Sequence, residues 1–100
     1  MDDKEAHLML SALANLSRVK TLRALAVAGK DGLPSGAIAG LVGLPRNLMS
    51  SHLAIMQKAG LIEGRKEGRS IIYSAVPGTL DRLGDHVHAL SLPIATCSYR

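Results

Sequence analysis

Arg46, Asn47, Ser50, Ser51 and His52 fall within seven positions, and Arg65, Lys66 and Arg69 fall within five. These residue types suit recognition more than bond-making. An Asn side chain can bond both edges of adenine at once, a Ser hydroxyl serves several bases, and an Arg reaches guanine or a phosphate. Guanidinium and ammonium groups clustered near a turn grip phosphates along a backbone or in a minor groove. Residues 46 to 58 contain no acid, although a helix face that is merely solvated ordinarily carries Glu and Lys together. The chemistry expected is contact with a polyanion, double-stranded DNA. The four histidines and eight acids show no catalytic spacing, no glycine-rich phosphate loop is present, and Ser50-Ser51 has no base arranged beside it. No enzyme is expected.

Side chains that read DNA need rigid elements beneath them, and the periodicity supplies candidates. Residues 4 to 14 place Leu10, Leu13 and Ala14 on one helical stripe, with Ala6 a turn earlier. Ser17 suits the N-cap of a second helix carrying Val19, Leu22, Leu25 and Ala26, ended by Gly29 and the polar turn "KDGLP". Ser35 can cap a short third helix with Ile38, Leu41 and Val42, and Gly43 stops it. Pro45 opens a fourth helix, about 45–59, where a missing N–H costs nothing. Met49, Leu53 and Met56 should face the core, leaving Asn47, Ser50, Ser51, Ala54 and Lys58 on the opposite face. Two short helices joined around a glycine make a helix-turn-helix, about residues 35–59. "LIEGRK" and "RSIIYSAV" read as strands joined by a tight turn at Glu67-Gly68. Leu80, Leu83, Val87 and Leu90 mark a closing helix that Pro93 stops. The expected fold is mainly α with a small β-hairpin, in the order α-α-α-α-β-β-α.

The totals agree with that scheme. A chain of 100 residues makes one domain, 1–100, and with aromatics at 2% its core must be aliphatic. A small aliphatic core gains stability by pairing with a second copy, so a dimer is expected. The formal charge of +4 favours a polyanionic partner. Cys97 is the one cysteine, which excludes an internal disulfide. "MDDKEAHL" lacks the basic start of a signal peptide, and "ALAVAG" is far too short for the roughly 20 apolar residues of a membrane span. A cytoplasmic protein without a membrane segment is expected.

The string "SSHLAIMQKAGLI" followed by "RKEGRSIIYS" resembles the ArsR/SmtB family of winged-helix transcriptional repressors. The matching positions are Ser50, His52 and Leu53, then Met56, Ala59, Gly60 and Leu61, then Arg65 and Lys66, Glu67-Gly68-Arg69, and Tyr73. "ALANLSRVKTLRAL" is similar to the family's entry to its second helix, and the similarity covers roughly residues 10 to 76. The resemblance implies a winged helix-turn-helix, with the wing at about 61–76 and dimerisation helices at about 4–14 and 79–92. It implies a homodimer that sits on a near-palindromic operator and represses until a metal, metalloid or redox signal releases it. By the same resemblance His52 lies near DNA, while its spacing between the core stripe and the polar face allows a structural hydrogen bond instead.

The sensing half departs from the pattern. Metal and arsenic sensors of the family often carry Cys-x-Cys in the third helix, thiolates being natural ligands of soft ions. Here "AIAGLVGL" offers no cysteine, histidine or acid, so that site is missing. Asp81, Asp85 and His88 share one face of the last helix, and two facing copies could assemble a zinc-like site from Asp85 and His88; the bland alternative is a solvated dimer helix. Cys97 follows Pro93, and a dimer would bring two such thiols for a disulfide or a metalloid. His7 and His86 read as surface residues. A competing function is a dimeric protein-interaction module that keeps the fold without reading DNA.

Overall fold

The computed structural model describes residues 1–92. In chain order these form α1 (Asp3–Leu13), α2 (Leu16–Ala28), a 3₁₀ turn (Gly29–Asp31), β1 (Leu33–Pro34), α3 (Ser35–Val42), α4 (Arg46–Lys58), β2 (Ile62–Glu67), β3 (Ser70–Ala75) and α5 (Thr79–Ala89). The expected order of four helices, hairpin and helix stands, with β1 added. Pro93 and Cys97 lie outside the described residues.

The core is built around α4. Met49 and Met56 are 0% exposed and Leu53 1%, on the i, i+4, i+7 stripe that its sequence spacing predicts. Leu25 and Ile38 seal the other side of this cluster. The other stripes agree in part: Leu22 and Leu25 of α2 and Ile38 of α3 are buried as expected, and other members are not. In α1 the buried residues are Ala6, Met9 and Ala12, whereas Leu8 and Leu10 are nearly half exposed. Small side chains let α1 approach the core closely; Leu8 and Leu10 turn outward, while Leu13 is partly buried against the core. In α2 Thr21, Leu22 and Leu25 are buried and Ala26 is exposed. In α3 Ile38 and Ala39 face inward while Leu41 points to solvent. Each of these helices is apolar on more than one face, so periodicity alone cannot say which face the core takes.

The caps also differ by a residue or two. Asn15, not Ser17, caps α2, its side chain accepting from the Arg18 amide at 3.2 Å. Ser35 is the first residue of α3, preceded by Pro34 without a side-chain cap bond. Gly43 takes the left-handed conformation that ends α3 and opens the turn into α4.

The sheet has the order β1-β3-β2, with both pairings antiparallel. Glu67 belongs to β2 and pairs with Ser70, so the two-residue turn is Gly68-Arg69, one position later than predicted. Gly68 has φ +61°, the positive value that a hairpin turn places at its first central residue. β1 comes from "LP", within the stretch predicted as a polar turn; Leu33 pairs with Tyr73 and Pro34 with Ile72. Gly32 makes this possible, since a Cβ there would overlap the Tyr73 carbonyl oxygen.

The Arg18 side chain ties α4 to α2 and α1. Arg18 Nε on α2 donates to His52 Nδ1 on α4 at 2.8 Å, and its Nη1 donates to the Ala12 carbonyl of α1 at 3.3 Å. His52 must therefore present a lone pair at Nδ1, with its proton on Nε2. Of the two roles that the sequence left open, the structure shows the hydrogen bond within the protein. His52→Ala leaves a half-buried guanidinium N–H unpaired and is expected to cost about 1–3 kcal/mol, read from urea denaturation. Adding Arg18→Ala should then cost less than Arg18→Ala does alone.

Candidate nucleic-acid interface

With Met49, Leu53 and Met56 sealed, the rotation of α4 is set and the remaining positions follow at 100° steps. Arg46, Asn47, Ser50, Ser51, Ala54 and Lys58 are all exposed. The Ser50 hydroxyl donates to the Arg46 carbonyl at 3.1 Å, and that of Ser51 to the Asn47 carbonyl at 3.5 Å. Their protons are thus used by the backbone, and their lone pairs point outward as acceptors. The outward face is less uniformly polar than the sequence suggests. Leu48 is 47% and Ile55 42% exposed, one helical row away, and such side chains suit contact with thymine methyl groups.

The hairpin sorts its basic residues by register. Facing pairs share a side of the sheet, so Gly64–Tyr73 and Lys66–Ile71 lie on one face, with Glu63–Ser74 and Arg65–Ile72 on the other. Ile71 and Tyr73 line a groove together with Arg46 and Ser50 of α4 and with Arg69 of the turn. Lys66 is therefore on the face that looks toward the reading helix. Arg65 is on the reverse face, where Nη1 and Nη2 donate to the carbonyls of Lys30 and Asp31 at 3.0 and 2.8 Å and Nε pairs with Glu67. Its guanidinium closes the 3₁₀ turn against the hairpin instead of projecting beyond it.

Among the predicted residues, the structure thus brings together Arg46, Ser50 and Arg69 around one groove, with Asn47, Ser51 and Lys66 outward beside it. Arg65 and His52 each make hydrogen bonds within the chain. Sequence reasoning missed Arg18, whose value is a partner 34 positions away. It also missed Gly36, over which the Arg46 guanidinium lies. A glycine in the first turn of an eight-residue helix was the available signal, because glycine is poor there unless space is needed.

The residues proposed for sensing are arranged differently. Asp85 and His88 are exposed on α5. Among the described residues no group of three or more His, Cys, Asp or Glu side chains is placed to hold a metal ion. His86, expected to be a plain surface residue, has Nε2 2.8 Å from Asp3 Oδ1 and joins α5 to α1. Among the described residues no helix is long and apolar enough to cross a membrane.

A helix-turn-helix whose second helix turns an acid-free face outward, beside a basic β-hairpin, defines a winged helix-turn-helix domain. No family model matches the chain. The chain is 31% identical over 71 residues to the helix-turn-helix transcriptional regulator YgaV of Escherichia coli K12, covering 71% of this chain and 70% of that protein. It is 35% identical over 66 residues to the nodulation protein NolR of Rhizobium meliloti, covering 66% of this chain but only about half of NolR, 52%. The solved homodimeric winged helix-turn-helix DNA-binding domain of Mb0332 from Mycobacterium bovis superposes with a TM-score of 0.71 at 25% identity, over 95% of this chain and 91% of that one. The chain belongs to the ArsR family of winged helix-turn-helix transcriptional regulators. That family consists of DNA-binding regulators and not of enzymes.

The two basic residues at the start of the wing should separate in solution. Arg65→Ala is expected to cost about 0.5–1.5 kcal/mol of stability and to leave the salt dependence of DNA binding unchanged. Lys66→Ala is expected to leave the thermal midpoint unchanged and to lower the slope of log K against log salt by about one per protomer.

Proposed function

We propose that this chain acts as a homodimer that reads a near-palindromic operator and represses transcription from it. The observation that carries this reading is the outward placement of Asn47, Ser50 and Ser51 on a helix whose opposite face is sealed in the core. Small side chains let the helix axis come close to base edges, and Asn47 has the amide that pairs with adenine. Lys66 and Arg69 on the hairpin supply backbone contacts that set register.

Dimerisation is supported by the apolar side chains that one protomer leaves uncovered. α1 packs against α5, yet Leu8 and Leu10 of α1 and Leu80, Val87 and Leu90 of α5 are all 40% exposed or more. Of the expected α5 stripe of Leu80, Leu83, Val87 and Leu90, only Leu83 is buried within the chain, and the rest suits a second copy. Mb0332, with the same fold, is homodimeric. Two copies of α4 would then enter successive major grooves about 34 Å apart.

Release by a metal, metalloid or redox signal is the regulatory half of this reading. Adding arsenite, zinc, nickel, cadmium or peroxide to the preformed complex with the gene's own upstream DNA tests it directly. For the reading helix, Asn47→Ala is expected to cut the preference for that DNA over a scrambled duplex by about tenfold, since a bidentate base contact discriminates by about 1–3 kcal/mol. Fluorescence anisotropy competition measures this. Equal binding of upstream and scrambled DNA by the unaltered protein overturns sequence-specific reading.

A further inference from the structure

The groove between α4 and the wing holds two guanidinium groups and no carboxylate. Arg46 enters it from the start of the helix and Arg69 from the hairpin turn, with Ser50 and Tyr73 between them. Among the described residues neither guanidinium has a hydrogen-bond or ion-pair partner in the protein. This contrasts with Arg18 and Arg65, whose donors are taken by His52 and by backbone carbonyls. The groove is large enough, at about 420 Å³, to admit a tetrahedral oxyanion with water around it.

Arg46 lies where an ordinary side chain would not let it lie. A Cβ built on Gly36, in the first turn of α3, would overlap Arg46 Nη2 and come within 3.2 Å of Cζ and Nε. The guanidinium thus occupies space beside the one position of that turn that has no side chain. Gly40, one turn further along α3, has no atom within 4 Å of its Cβ position. Of the two glycines in this short helix, only Gly36 has an arginine over it.

We propose that one phosphate of the DNA backbone sits in this groove between Arg46 and Arg69, and that Gly36 is the positioning residue that seats Arg46. The proposal rests on the DNA-reading function above. A strand whose bases face α4 carries its backbone past the edge of that helix, between helix and wing. Two guanidinium forks from opposite walls match the oxygens of a single phosphate. The contact is independent of sequence, so it clamps helix to wing whatever the operator is.

The test uses a fluorescent duplex of about 30 base pairs of scrambled sequence, titrated with the full chain at several salt concentrations. Arg46→Ala and Arg69→Ala are each expected to weaken binding about tenfold, as for loss of one charge-assisted phosphate contact. Because they share a phosphate, the double variant should fall within about threefold of the weaker single variant. Losses that multiply instead assign the arginines to separate phosphates and overturn the shared seat. Gly36→Ala should weaken binding about threefold or more and lower the salt slope, with a thermal midpoint no lower than that of the unaltered chain. Gly40→Ala should bind normally, and Gly36→Ala should add nothing in the Arg46→Ala background. Normal binding by Gly36→Ala, or a further loss in that background, overturns the role of Gly36. Inorganic phosphate, compared with chloride at equal ionic strength, should displace no additional duplex. Displacement that Arg46→Ala abolishes makes the groove a free-anion site and overturns the backbone assignment. If the unaltered protein binds no duplex at any salt concentration, the DNA-reading function itself fails and the groove with it; normal duplex binding without the arginine coupling removes only the groove.

Discussion

Once three side chains of a helix are shut away from water, the helix has one rotation about its axis. Met49, Leu53 and Met56 do this to α4, at 0%, 1% and 0% exposure. Turning the helix far enough to hide Asn47 or Ser51 would expose those three and bury polar groups without partners. Burial of each large apolar side chain contributes about 1.5–3 kcal/mol, so the alternative rotations are strongly disfavoured. The DNA-facing surface is thus a by-product of the core, and it holds its geometry without any bond of its own to the outside.

The cations divide between two tasks. Arg18 and Arg65 spend their donors inside the chain, one linking α2 to α4 and α1, the other holding the 3₁₀ turn to the hairpin. Arg18 is tied to a backbone carbonyl and an imidazole nitrogen, and Arg65 to two backbone carbonyls and the Glu67 carboxylate. Arg46, Lys66 and Arg69 are left exposed. A basic protein of this kind is only partly described by its net charge, because two of its guanidinium groups are structural.

The first and last helices leave apolar side chains uncovered on the single chain. α1 turns Ala6, Met9 and Ala12 inward and Leu8 and Leu10 outward, and α5 buries Leu83 while Val87, and Leu90 just after the helix, remain exposed. His86 and Asp3 pin the two helices together at their polar edge. Apolar side chains of both helices are thus left exposed. In sequence, an exposed leucine such as Leu10 looks the same as one that packs on the core, such as Leu13.

How much was legible in the sequence follows from how far each determinant reaches along the chain. The helix-turn-helix, the α4 stripe, its acid-free outer face and the hairpin were readable, because periodicity and glycine positions act over a few residues. Turn placement was one residue off at Gly68-Arg69, a matter of pairing between strands and not of the turn residues themselves. β1 was unreadable, since two residues become a strand only when β3 lies beside them. The same holds for the candidate interface. The sequence by itself determined that Arg46, Asn47, Ser50, Ser51, Arg65, Lys66 and Arg69 would be available, with the right chemistry, on a helix and a hairpin. Only the tertiary structure decided that His52 would turn inward to Arg18, that Arg65 would be held on the far face, and that Arg46 would lie over Gly36 toward Arg69. Those outcomes depend on hydrogen bonds and close packing between residues far apart in the chain, and no local pattern encodes which distant group arrives.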